Sequence, residues 1–263
     1  MSPARYQVRR ERGFMDAGWL RARFSFSFGG YVHPEGDRFG PVLALNEDEV
    51  QPGTGFPMHP HRDLEIFMIP QQGAIAHEDS LGNRCTVNTG QVLMMRAGAG
   101  IRHSQFNASD AELDRHLQLW IAPAESSLPP GVQLAEVGAV PCGQWHLLAA
   151  PQEEAASFAL AQQARVRIGA ACTGRPLPLS LAPGDAAYLH VMHGDCAVHF
   201  EDGRAERLAG GEALAVEALP EAASLGAEAP APPSLDKARA RTDTRRTSMR
   251  QLQQLREQRR RGR

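Results

Sequence analysis

Short apolar runs, spaced too closely for helices, set the rhythm of this chain. "RFSFSFG", "PVLALNEDEV", "LEIFMIP", "GAIAHED", "QVLMMRAG" and "LQLWIAP" are each of strand length, and Gly, Pro, Asn or Asp punctuates them. Glycine-marked turns at Gly53, Gly73, Gly82-Asn83 and Gly90 join them, with "DSLGN" reading as a hairpin. The pattern weakens into a Pro/Gly/Ser-rich connection near residues 123–135. A second set then follows, broken by "PGD", "HGD", "EDG" and "AGGEA". The expectation is an all-β protein built from two copies of one sandwich or barrel architecture. Its parts are residues 1–125, residues 135–230 and a tail, 231–263.

The tail differs in composition. From Lys237 to Arg263 it carries eleven Lys/Arg against two Asp/Glu, without one aromatic residue. Such a segment buries too little surface to offset its ordering entropy, so a disordered basic tail is expected. The formal charge of the whole chain is only −2, which leaves the rest acidic and gives no global bias toward nucleic acid. Any nucleic-acid contact would run through the tail. Four cysteines, Cys85, Cys142, Cys172 and Cys196, lie far apart with no CxxC pair. Free thiols in a reducing compartment are the expectation. No apolar run is long enough to span a bilayer, and the polar N-terminus lacks the core of a signal peptide. A cytoplasmic monomer without membrane attachment is expected.

Chemistry concentrates in "FPMHPHRDLE" and "GIRHSQFN". Alternate residues of a strand share a face, so an extended "MHPHRDLE" groups His59, His61, Asp63 and Glu65, and the second segment groups His103, Gln105 and Asn107. Three imidazoles converging from two strands could hold one ion, and neutral imidazole suits Fe, Cu, Ni and Zn. The spacing is more specific than a lone HxH. Gly53, five residues, His59-x-His61, three residues, Glu65 and then Gly73 track the first cupin motif. Gly90, five residues, Arg96-Ala97-Gly98, His103, three residues and Asn107 track the second. There the customary proline is Arg96, and two extra residues precede the histidine.

With "GWLRARFSFSFGGY", "AHEDSLGN", "AGAGIRHSQFN" and "LQLWIAP", the chain resembles the pirin family over roughly residues 10–123. The second half is more loosely similar, through "AYLHVMHGD" and "GEALAVE". The resemblance implies a bicupin, two face-to-face jelly-roll barrels with one divalent metal in the first and none in the second. Iron is the implied metal, with Mn, Ni, Co, Cu or Zn as alternatives. It implies metal ligands His59, His61 and His103, with Gln105 at the fourth position, where the family carries the glutamate of "HSE". Several pirins are quercetin 2,3-dioxygenases, which act on flavonols with O2; others are metal-dependent regulators that bind protein partners. The family glutamate takes the flavonol hydroxyl proton, and an amide at Gln105 cannot. Glu65 has two readings: a structural hydrogen bond, or a substitute base and ligand. His77, in "AHEDS", reads as pocket edge or hairpin support. Phe56 and Met58 could line an apolar pocket for an aromatic substrate. The resemblance also implies a final apolar strand after "EAASLGAEAPA". This chain has its Arg-rich run there, so a sheet edge is expected to lie unpaired.

Overall fold

Gly- and Pro-marked turns divide the chain into twenty-one strands, with no helix among the described residues. The computed structural model describes residues 4–34, 36–218 and 223–229. The expected disordered tail, 231–263, lies outside the described residues. The first half contains β1 (Ala4–Arg9), β2 (Gly13–Asp16), β3 (Leu20–Phe24), β4 (Val42–Val50), β5 (Gly55–His61) and β6 (Glu65–Gln72). It continues through β7 (Ala74–Asp79), β8 (Arg84–Asn88), β9 (Gln91–Arg96), β10 (Ile101–Asn107), β11 (Asp114–Ile121) and β12 (Gly131–Glu136). The second half contains β13 (Trp145–Pro151), β14 (Phe158–Leu160), β15 (Val166–Gly169), β16 (Leu177–Leu181) and β17 (Ala186–His190). It ends with β18 (Asp195–Phe200), β19 (Ala205–Ala209), β20 (Ala213–Ala218) and β21 (Ala223–Glu228).

Two antiparallel sheets form the first barrel, ordered β12-β9-β6-β11-β4-β3-β2 and β5-β10-β7-β8. The second half forms sheets β14-β13-β15, β1-β20-β17 and β16-β21-β18-β19. The fold is the all-β bicupin. Strict alternation marks the half-buried strands. On β7, Ile75, His77 and Asp79 point inward, and on β10 so do Ile101, His103, Gln105 and Asn107. The central strands are buried on both faces. Ile66 and Met68 of β6 pack with Leu93 and Met95 inside the first barrel, while Phe67 and Met94 face Leu148, Phe158 and Leu160 of the second half. Phe67 and Phe158 meet edge to face at 5.9 Å, each burial worth about 1.5–3 kcal/mol. The two halves thus share a core along the outer face of the larger sheet.

Two strands cross the partition drawn at residues 125–135. β1 pairs with β20, Tyr6 opposite Val216, and β12 pairs with β9, Val132 opposite Met95. Further differences from the sequence reading have physical causes. "RFSFSFG" is not one strand: β3 starts at Leu20 and ends at Phe24. A regular strand would send Phe24, Phe26 and Phe28 to one face. Instead Phe24 and Phe28 join Leu20, Tyr31 and Phe56, whereas Phe26 joins Leu45, Leu117 and Tyr188. The free-thiol expectation is corrected for two cysteines. Cys142 and Cys172 form a disulfide across 30 residues, with Cα atoms 5.6 Å apart. The antiparallel β13–β15 pair brings them together, which local spacing cannot reveal. Cys85 and Cys196 are free. The inference of a reducing compartment from four free thiols therefore loses its basis. At the end of the second barrel, "ASLGAE" itself supplies β21, which pairs with β16 on one side and β18 on the other.

Candidate metal centre

The pairing of β5 with β10 builds the histidine cluster. His59 lies directly opposite His103, and His61 opposite Ile101. The register then shifts between His103 and Gln105, so that Phe56 faces Gln105. Two residues of β5, Pro57 and Met58, thus oppose the single Ser104, which is a β-bulge. Pro57 suits this place because a bulge leaves amides unpaired. Gly55 permits the close approach: a Cβ there would strike the Gln105 carbonyl oxygen and Phe106 Cα. Ring centroids are separated by 4.4 Å (His59–His103), 4.8 Å (His59–His61) and 5.0 Å (His61–His103). One ligand-capable atom from each residue lies within 4.8 Å of the others. Among the described residues, this is the one such group.

The electrostatics fit a cation. His59 Nδ1–H donates to the Pro57 carbonyl at 2.8 Å, leaving the Nε2 lone pair available. Burial, then the neighbouring His59, lowers His61 to about 4. Burial, with His59, His61 and His77 beside it, lowers His103 to about 2. The His61 and His103 rings are thus neutral donors near pH 7. Both ring nitrogens of His103 are buried without a hydrogen-bond partner. Buried polar atoms seldom stay unsatisfied, and an ion would satisfy this one. Trp120 packs edge-on against His61 at 5.0 Å.

Gln105 sits in a buried polar chain. Trp120 Nε1–H donates to Gln118 Oε1 at 3.2 Å, and Gln118 Nε2 donates to Asp48 Oδ2 at 3.1 Å and Gln105 Oε1 at 3.2 Å. Gln105 Nε2 then donates to His116 Nε2 at 2.6 Å, and His116 Nδ1–H donates to Asp114 at 2.9 Å. Indole can only donate, so it fixes the direction of the whole chain. Burial lowers the pKa of His116, but Asp114 and Asp48 outweigh it and raise it to about 9. A second proton on the ring would sit on Nε2, 3.5 Å from Asp48 Oδ2, and would turn the Gln105 amide over. Both ends of the Gln105 amide are therefore engaged away from the three histidines.

Glu65 is also engaged elsewhere. The extended run expected over His59–Glu65 is broken: β5 stops at His61, Asp63 has φ 52°, and β6 begins at Glu65. The fully buried Glu65 carboxylate accepts from Arg96 Nε at 3.0 Å and Nη2 at 2.9 Å, and from the Ala161 amide at 3.0 and 3.1 Å. Arg96, where the motif customarily has proline, also donates to the Ala159 carbonyl at 2.8 Å. The pair ties the first barrel to the second half. Phe56 packs against Trp19 at 5.1 Å, and Met58 is exposed.

Two cavities bear on access. The larger, about 660 Å³, lies where Asp48 and His116 approach Met192 and Gly211, and touches no member of the triad. A cleft of about 380 Å³ opens directly on His61, between Arg62, Ser80 and Arg102. Of the two, only the second is lined by a triad residue, His61.

Position sense alone under-read the sites flanking the triad. His77 Nε2–H donates to Asp79 at 3.1 Å, both side chains fully buried, with the His77 ring 5.4 Å from His103. Burial raises the Asp79 pKa, but bonds from Asn83, His77 and the Leu81 amide outweigh it and hold the carboxyl ionised. The alternate-residue rule that joins His59 to His61 also joins His77 to Asp79, and His116 to Gln118 and Trp120. In the second half, His190 lies 3.3 Å from Glu47, itself 2.8 Å from Arg12. Burial pushes Glu47 up, yet His190 and Arg12 draw it down to about 2.

Residues 5–121 match the sequence model of a family described as Pirin. A "Pirin-like protein" of Caulobacter vibrioides is 45% identical over 111 residues, 42% of this chain and 47% of its own length. A "Quercetin 2,3-dioxygenase" of Escherichia coli K12 is 38% identical over 130 residues, 49% of this chain and 56% of its own length. The chain thus spans about half the length of the curated relatives it matches. The structure is similar to the bacterial pirin YhhW of Escherichia coli in complex with nickel(II), with TM-score 0.64 and 26% identity over 86% of this chain and 99% of that one.

Proposed function

Through residues 5–121 the chain belongs to the pirin family, and from that premise we propose that it is a metal-dependent dioxygenase of the quercetin 2,3-dioxygenase type. His59, His61 and His103 would hold one divalent ion, with iron the metal we infer. The observation that carries this reading is the trio of imidazoles, whose ligand atoms lie within 4.8 Å while both His103 nitrogens lack any other partner. When bound, such an ion supplies a Lewis-acid centre with open positions, the arrangement used in non-haem oxygen chemistry. Gln105 is the fourth residue of the motif, and any ligation by it would require its amide to leave His116 and Gln118.

The protein's own groups would do the rest. A hydroxylated aromatic enters by the cleft at His61, where Arg62 and Arg102 favour the phenolate form and Ser80 offers a hydroxyl. Trp120 holds the His61 ring at its edge, and the buried position of His103 excludes bulk water. The substrate class is flavonol-like, and O2 is the co-substrate.

A second reading is a non-catalytic, metal-dependent protein that binds a partner. One observation favours it: position 105 is an amide whose both ends are hydrogen-bonded inward, and an amide cannot take a substrate proton. The deciding experiment follows quercetin loss and carbon monoxide release by the metal-loaded protein and by Gln105→Glu. Turnover by the native protein supports the dioxygenase. Full metal occupancy without turnover in either protein would remove that reading and leave the second.

A further inference from the structure

The buried His77–Asp79 pair has no task in the metal centre as described above. Asp79 is ringed by donors: the amides of Leu81 and Asn83, at 2.8 and 3.2 Å, and Asn83 Nδ2, at 2.9 Å from one oxygen and 3.2 Å from the other. It is therefore an acceptor, and the 3.1 Å contact to His77 requires the proton on His77 Nε2. That leaves the lone pair on Nδ1. This atom is buried and has no partner. His77 points into the barrel from β7, its Cα directly opposite Gln105, and its ring lies beside His103.

The other acceptors near the triad are in use. Gln105 Oε1 receives Gln118, and the His59 lone pair on Nε2 belongs to the ion site. Asp114 has one unpartnered oxygen, but Gln105 and His116 stand between it and the triad. We propose that His77 Nδ1 is the acceptor for a hydroxyl group of an aromatic ligand held at the three-histidine centre. The class of ligand is an ortho-dihydroxy or hydroxy-keto aromatic. One oxygen of such a ligand meets the ion, and its remaining O–H needs a buried acceptor. Asp79 acts through His77, fixing the tautomer and the ring orientation, and is a positioning residue. This inference rests on the metal-centre reading, not on turnover.

The test uses full-length protein loaded with nickel(II) and titrated with 4-nitrocatechol, whose absorbance reports binding. In His77→Gln the amide nitrogen keeps the donor to Asp79 but leaves no acceptor at the position of Nδ1. In His77→Asn a side-chain oxygen occupies the neighbourhood of Nδ1. His77→Gln is expected to keep its nickel stoichiometry and its affinity for azide, which has no hydroxyl. Its affinity for 4-nitrocatechol falls about tenfold, the scale of one buried hydrogen bond, and His77→Asn recovers most of the loss. Unchanged 4-nitrocatechol affinity in His77→Gln overturns the proposal. So does loss of nickel, which would make His77 part of the ion site, or equal weakening of azide. Absence of any 4-nitrocatechol binding by the nickel-loaded native protein overturns it outright. His77-dependent 4-nitrocatechol binding without quercetin oxidation would leave this inference standing and remove the dioxygenase reading alone.

Discussion

Replacing Glu65 by Gln separates the two roles that position could have. The carboxylate is fully buried and accepts from both Arg96 nitrogens and from the Ala161 amide. A glutamine can keep its oxygen toward Arg96, but its NH2 group then opposes the Ala161 N–H, and the charge that Arg96 faces is gone. Removing one partner of a buried pair costs about 3–5 kcal/mol. Arg96 is 30% exposed and keeps its bond to Ala159, so water recovers part of the loss and the expected cost is the lower end, about 3 kcal/mol. With a urea dependence of about 3 kcal/mol per molar for a chain of this size, the midpoint should fall by about 1 M. The assay is urea unfolding followed by tryptophan fluorescence and circular dichroism, with metal content measured on the same samples. Stability should fall while the native variant keeps its metal. An unmoved midpoint together with lost metal would refute the tether and return Glu65 to the metal centre.

Two further outcomes follow from groups distant from the triad. Glu47 is drawn down to about 2 against burial by His190 and Arg12, so its contribution is present above the usual carboxylate value and fades as pH falls toward 2. Glu47→Gln should therefore destabilise by roughly 2 kcal/mol at pH 7, after allowance for partial solvent screening, and the difference from the native protein should vanish near pH 2; a pH-independent gap in melting temperature would contradict this. Cys142→Ser opens a 30-residue loop and should cost about 3 kcal/mol, seen in urea unfolding, whereas alkylation of four thiols in the native protein would show that the bond does not form.

The legible part of this molecule is that which local rules govern. Period-two alternation places His103, Gln105 and Asn107 on one face from sequence alone, and the structure has them so. Cupin spacing brings His59 and His61 to the same centre, although their strand carries a bulge that no spacing rule reveals. Contacts between remote segments were not legible. Glu65 shares parity with His61 only if the chain runs straight, and the left-handed turn at Asp63 breaks that run. Its true partners, Arg96 and Ala161, lie 31 and 96 residues away. The same applies to the disulfide, to the crossing of β1 into the second half, and to Gln118, whose significance depends on Asp48 across the sheet.

The three-histidine centre is tested most directly by its metal content. Native protein incubated with iron(II) under argon, freed of excess metal and analysed by elemental mass spectrometry should carry about one ion per chain. His103→Ala should carry almost none while keeping its circular dichroism spectrum, because the removed ring has no protein hydrogen bonds to lose. Equal metal in the two proteins, or none in the native protein with iron or nickel, would contradict the account.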